Sequence, residues 1–161
     1  VPPRESLHRI GYMAHASMLY DEMTALENLR YFAGLYGIED DARLQNSLSA
    51  VGLDPLLERR VGEYSQGMRQ RASLARAMVH DPEVLLLDEP FSNLDTSASR
   101  DVVALLAKLK RSKTILVVTH QPALLEATHD EVLVLSQGRI ATQGPAMSAF
   151  AKRNEAIGVR S

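Results

Sequence analysis

YSQGMRQRASLARAMVHDPEVLLLDEPFSNLD, from Tyr64 to Asp95, is the stretch on which the reading of this chain turns. Ser65 and Gly67 precede a segment of helical period in which Met68, Ala72, Ala75 and Val79 form one apolar face. Arg69, Ser73, Arg76 and His80 fall on the opposite face, expected to be wet. Ser65 is placed to cap that helix, and the N–H groups of a helix start beside a glycine attract phosphate. Pro82 is expected to close the helix, and Val84–Leu87 is then wholly apolar, as in a central parallel strand covered on both faces.

Asp88 and Glu89 follow at the carboxyl end of that strand, where open α/β sheets place ligands. Two adjacent carboxylates there divide their labour naturally. One can hold Mg²⁺, usually through water, and the next can point at an attacking water and accept its proton or orient it. Ser65 is not a hydrolase nucleophile, because Glu63 stands where the corresponding elbow needs glycine.

The block resembles the signature and Walker B region of ATP-binding cassette (ABC) ATPases. The family's LSGGQ is represented by Tyr64-Ser65-Gln66-Gly67-Met68, which keeps the serine and the second glycine. The LLLDEP run and Ser92-Asn93-Leu94-Asp95, similar to the family's D-loop, match more specifically. The resemblance implies a P-loop NTPase-like (RecA-like) α/β fold, a parallel sheet carrying an inserted α-helical subdomain, and ATP and Mg²⁺ as cofactors. It also implies roles by position: Glu89 as base, Asp88 for Mg²⁺, and Ser65 and Gly67 on the nucleotide of a facing subunit, with Gln66, Asp95 and His15 also binding nucleotide. His120, closing the next strand after Thr114–Val118, occupies the place of the family's γ-phosphate histidine; an imidazole there stabilises charge developing in transfer.

Upstream, Arg9–Met13 reads as a short strand ending in Ala14-His15. The family's Q-loop glutamine follows such a strand, and here His15 takes its place. Thr24 and Glu27 form a capping box opening a helix with Leu26, Leu29, Ala33 and Tyr36 on one face and Gly37 as its stop; Leu29 and Tyr36 are expected in the core. A second helix is expected over Asp41–Val51, with Leu44, Leu48 and Val51 inward and Gly52 terminating it, and a third, short one over Asp54–Arg60. In ABC transporters the corresponding surface docks against the membrane subunit, which makes the Ser17–Glu22 loop a candidate contact. Downstream, a helix over Ser97–Lys110 buries Val102, Leu105, Leu106 and Leu109, and Pro122 opens a short helix to about Thr128. Glu131–Leu135 and Arg139–Thr142 are strands joined by a Gln137-Gly138 turn. Strands alternating with helices argue for parallel crossover connections. The expected organisation is a helical subdomain over about 16–64, signature helix and core over about 65–144, and a peripheral tail over 145–161. His8, His80 and His129 read as structural.

Lysine and arginine number 18 against 20 acids, a near balance that leaves no broad footprint for nucleic acid or an anionic membrane. There is no cysteine, so no disulfide framework or thiolate metal site, which fits a reducing compartment. No apolar run approaches the ~20 residues a spanning helix needs, and VPPRESLHR lacks the apolar core of a signal peptide. No G-x-x-x-x-G-K-[ST] phosphate loop occurs, nor an upstream aromatic of the kind the family stacks on adenine. The expectation is a chain starting just before the Q-loop, binding ATP poorly in its own pocket and keeping the half-site that contacts a facing subunit's ATP.

Residues 24–32 (TALENLRYF), Thr119-His120-Gln121-Pro122, Asp88–Phe91 and the histidine at the Q-loop place resemble the haem exporter ATP-binding subunit of cytochrome c maturation. That resemblance implies transmembrane permease subunits and a second, head-to-tail ATP-binding subunit as partners, at the cytoplasmic face of the membrane. The alternatives are a soluble, non-transport ABC ATPase and a non-catalytic docking module. Long coiled-coil insertions or basic arms would favour the first, and the chain has neither between His15 and Tyr64. The absent phosphate loop motivates the second.

Overall fold

β2 (Val84–Asp88) is the middle strand of a parallel three-stranded sheet, flanked by β1 (Ile10–Met13) and β3 (Thr114–Val118). The computed structural model describes residues 7–125, 128 and 130–145, which fall into two compact units divided between His120 and Gln121. In the first unit Met13 pairs with Leu87 and Leu87 with Val117, so all three strands end together at one carboxyl edge. Parallel neighbours of this kind require crossovers, and the chain supplies them as helices. They are α1 (Ala25–Gly34), α2 (Asp41–Ala50) and α3 (Gln66–Met78) between β1 and β2, and α4 (Thr96–Leu109) between β2 and β3.

The capping box of α1 is formed: Glu27 N–H donates to Thr24 Oγ1 at 3.2 Å and Thr24 N–H to Glu27 Oε2 at 2.7 Å. Asp40, Ser65 and Asp95 cap α2, α3 and α4 by accepting the Arg43, Met68 and Ala98 N–H groups, without the reciprocal bond. α3 packs on β1, α1 and α2, and its rear half comes very close to the sheet. A Cβ on Gly11 would stand 2.2 Å from the Ala77 carbonyl oxygen, so β1 needs glycine at that crossing. Met13, Leu85 and Leu87 are buried on this face with Ala72, Leu74, Ala75 and Val79 of the helix and its cap.

Several expectations change. The sheet is not covered on both faces among the described residues: Tyr12, Leu116 and Val118 on the far face are 49%, 59% and 56% exposed. The run Val84–Leu87 therefore alternates, with Leu85 and Leu87 buried and Val84 and Leu86 half-buried. The polar face of α3 is not wet. Ser73 is fully buried with its hydroxyl donating to the Ser17 carbonyl at 2.9 Å, and Arg76 reaches the Tyr12 carbonyl at 2.9 Å, because sheet and helices enclose α3 on several sides. Burial holds the Arg76 guanidinium below its ordinary pKa.

α1 ends at Gly34 rather than running to Gly37. The Tyr36 and Ile38 amides turn back onto the Ala33 carbonyl, and Gly37 takes φ +70°. Tyr36 thus lies beyond the helix, 38% exposed, and stacks on His80 at 4.1 Å instead of joining the core. Asp54–Arg60 is not helical: the Asp54 carboxylate accepts the Leu56 N–H, an Asx turn that competes with a helix start, and Arg60 bridges Thr24. A 3₁₀ turn at Val61–Glu63 then leads into α3.

In the second unit Pro122–Leu125 is a 3₁₀ turn, and β4 (Glu131–Ser136) and β5 (Arg139–Pro145) form an antiparallel hairpin. Gln137 and Gly138, at φ +49° and +73°, make the expected tight turn. His129 and the expected tail over 145–161, save Pro145, lie outside the described residues.

Candidate active site

The carboxyl edge of the sheet gathers the acidic pair and the strand-end histidine. The Glu89 N–H donates to the Val118 carbonyl at 2.8 Å, extending the β2–β3 ladder one residue beyond Asp88. This brings the Glu89 carboxylate against the end of β3. Its Oε1 accepts the His120 N–H at 2.9 Å, its Oε2 lies 2.9 Å from His120 Nδ1, and the Thr119 hydroxyl donates to Oε2 at 3.3 Å. The Glu89 side chain is 19% exposed and that of His120 71%, so a shielded carboxylate carries an imidazole that faces solvent.

The backbone behind this carboxylate is equally fixed. Glu89 has φ +51°, a left-handed conformation rare for a glutamate. Its carbonyl accepts the Ser92 N–H at 3.1 Å, closing a turn with Pro90 in the second position that proline favours. Phe91 is buried and anchors the turn, and Asn93, at φ +61°, leads into Asp95, which caps α4 through the Ala98 N–H at 2.8 Å.

The signature serine sits as expected: Ser65 Oγ accepts the Met68 N–H at 3.2 Å, and Ser65 and Gln66 are exposed at the start of α3. Gly67 lies against the turn after β2, since a Cβ there would be 3.2 Å from the Asn93 carbonyl oxygen and 3.5 Å from Leu94. Asp88 is half-buried at the end of β2. His15 is exposed two residues past the end of β1, at the same edge by register. A residue that pattern reading missed is Gln70, buried one turn into α3, whose Nε2 donates to the Glu89 carbonyl at 2.7 Å. Its signal was present: Gln70, Ser73, Leu74 and Ala77 form an i, i+3, i+4, i+7 row, all buried.

The described residues hold no group of three or more His, Asp or Glu able to cage an ion. Asp88 alone at the strand end fits Mg²⁺, which is commonly bound by one or two carboxylates plus substrate phosphates. A groove of about 450 Å³ opens elsewhere, at the opposite edge of the sheet beside Arg43, Met78, Asp81 and Lys113, and contains none of the site residues.

Residues 3–92, more than half of the chain, match the family model described as ABC transporter. The chain is 39% identical over 153 residues to the ABC transporter ATP-binding protein NatA of Bacillus subtilis, covering 92% of this chain and 62% of that protein. It is 40% identical over 133 residues to a fluoroquinolones export ATP-binding protein of Mycobacterium tuberculosis, covering 82% of this chain and 44% of that protein. It thus spans less than two thirds of either relative. Its fold matches the dimeric post-hydrolysis structure of an ATP-binding cassette bound to ADP and Pi, with a TM-score of 0.78 at 24% identity, over 88% of this chain and 66% of that one.

Proposed function

This chain belongs to the ABC transporter family, and from that premise we propose that it forms the signature and Walker B part of a transporter's ATP-hydrolysing motor subunit. The observation that carries the reading is the Glu89 carboxylate, held at the carboxyl end of the central strand by the Thr119 hydroxyl and by the backbone N–H and ring Nδ1 of His120. A carboxylate shielded and oriented in this way suits a base that aligns an attacking water. Asp88, next in line on β2, is the residue to hold Mg²⁺, which when bound would neutralise phosphate charge. His120, turned to solvent from Glu89, is the group to meet the γ-phosphate, and His15 stands in for the Q-loop glutamine at the same edge.

Ser65, Gln66 and Gly67, at the N-terminus of a 13-residue helix, are assigned to the ATP of a facing subunit, in keeping with a head-to-tail dimer. Asp95 caps α4, and its part at that dimer interface is to fix the turn that Gly67 abuts. The same reading makes 16–64 the helical subdomain and assigns its Ser17–Glu22 loop to a permease subunit at the cytoplasmic face of the membrane. One reported relative is named for fluoroquinolone export, so relatedness leaves the cargo open. The haem-export reading rests on residues 24–32, 88–91 and 119–122 and on His15 alone.

The test uses the complete subunit containing this chain. Glu89→Gln is expected to bind ATP while its hydrolysis falls by at least about 100-fold. Unchanged turnover would remove Glu89 from the mechanism.

A further inference from the structure

Gln70 is a polar side chain on a buried row of α3, where an amide without a partner would be strongly disfavoured. Its partner is the Glu89 carbonyl, 2.7 Å from Nε2. That one oxygen also accepts the Ser92 N–H at 3.1 Å and the Ser92 hydroxyl at 3.0 Å. Three donors on an oxygen with two lone pairs fix the peptide plane closely. The residue so fixed is at φ +51°, a conformation that persists for a glutamate only where its surroundings over-determine it.

We propose that Gln70 is a positioning residue, whose amide locks the Glu89 peptide in the left-handed conformation from which the carboxylate reaches Thr119 and His120. It touches none of the reacting atoms. It joins the signature helix to the carboxylate by a route independent of β2. Three residues nearer the helix start, Gly67 abuts Asn93 and Leu94, so the first turn of α3 and segment 89–94 are held together at two points. A shift of the helix start is thereby transmitted to Glu89. The catalytic consequence rests on the function proposed above; the structural link does not.

Gln70→Met keeps the volume and removes the donor, Gln70→Glu keeps the shape and replaces the donor by an acceptor, and Gln70→His retains a ring N–H. Amide hydrogen exchange in this chain reads the link directly. The His120 amide, bonded to Glu89 Oε1, is expected to exchange about tenfold faster in the Met and Glu variants, with Leu85–Leu87 unchanged and partial recovery in the His variant. In the complete subunit the same two variants are expected to lower kcat about 10- to 100-fold, with KM for ATP within about twofold. Unchanged His120 exchange in a folded variant would overturn the proposal. So would faster exchange with wild-type kcat, and so would failure of both donorless variants to fold, which would make the bond structural. Faster exchange in a protein whose wild type hydrolyses no ATP would overturn the proposed function and leave the link standing.

Discussion

His120 grips both oxygens of one carboxylate, its backbone N–H on Glu89 Oε1 and its ring Nδ1 2.9 Å from Oε2. The main-chain contact is indifferent to the side chain at 120, and the ring contact is not. His120→Ala in the complete subunit is therefore expected to keep the Glu89 backbone bond and ATP binding while losing about 10- to 1000-fold in hydrolysis rate. Steady-state ATPase measurement beside nucleotide-binding calorimetry separates the two. Weakened ATP binding with kcat unchanged would place His120 in uniform binding instead.

Gly11→Ala is expected to be strongly destabilising. Its Cβ would meet the Ala77 carbonyl at 2.2 Å, and would also meet Pro82 at 2.7 Å and Leu85 at 2.8 Å, so α3 must move off the sheet. Overpacking of this kind typically costs about 1–3 kcal/mol, and the backbone clash puts this site at or above the upper end. Urea denaturation checks it. Gly34→Ala, where an added Cβ meets nothing within 4 Å in a helix, is expected to stabilise by up to about 1 kcal/mol in the same assay.

Ser65→Ala removes the acceptor for the Met68 N–H at the start of α3 and is expected to cost about 1 kcal/mol. Ser65→Gly should cost only a few tenths of that by the same measurement. A loss of ATPase in Ser65→Ala much beyond what the destabilisation explains would mark a direct nucleotide contact.

His80 sets an acid sensitivity. Burial holds its imidazole below the ordinary pKa; the Ile10 carbonyl opposes the shift, and His8, Arg43 and Lys113 add to it. The unfolded chain then takes up a proton near pH ~6.5 that the folded chain refuses until lower pH, so stability falls as pH drops through that window. Tm is expected to decline between about pH 7.5 and pH 5.5, with a shallower slope in His80→Phe. Asp81 and Asp41, held low by Lys113 and Arg30, lose their contribution as pH falls from the ordinary carboxylate range toward their lowered pKa, below the histidine window, which keeps the two effects apart.

The strand, turn and cap chemistry of this chain was legible because it is local. Thr24 with Glu27, Ser65 before α3, Pro90 after Glu89 and Gln137-Gly138 each declare their geometry within four residues. What escaped depends on distant partners. Ser73 looked polar and therefore exposed, but the Ser17 carbonyl gives it a buried home. Gln70 shows its burial in the helical row, but its partner, the Glu89 carbonyl 19 positions away, is supplied only by the fold. Asp54 has both the character of a helix cap and that of an Asx turn, and the Arg60 bridge to Thr24 accompanies the second. His15 lies beyond β1 at the carboxyl edge by strand register.

The register of β1 on β2 also orders events in time. Ile10 pairs with Val84, so the strand carrying the acidic pair meets its first neighbour only after α1, α2 and α3 have been threaded between them. The loop-closure entropy of about seventy intervening residues must be met before that ladder returns any energy, whereas each helix nucleates locally and fast. During synthesis the helical segment has thus emerged before Asp88 and Glu89. The edge that carries the chemistry is complete only once β3, the last strand of this unit in the chain, has joined the sheet.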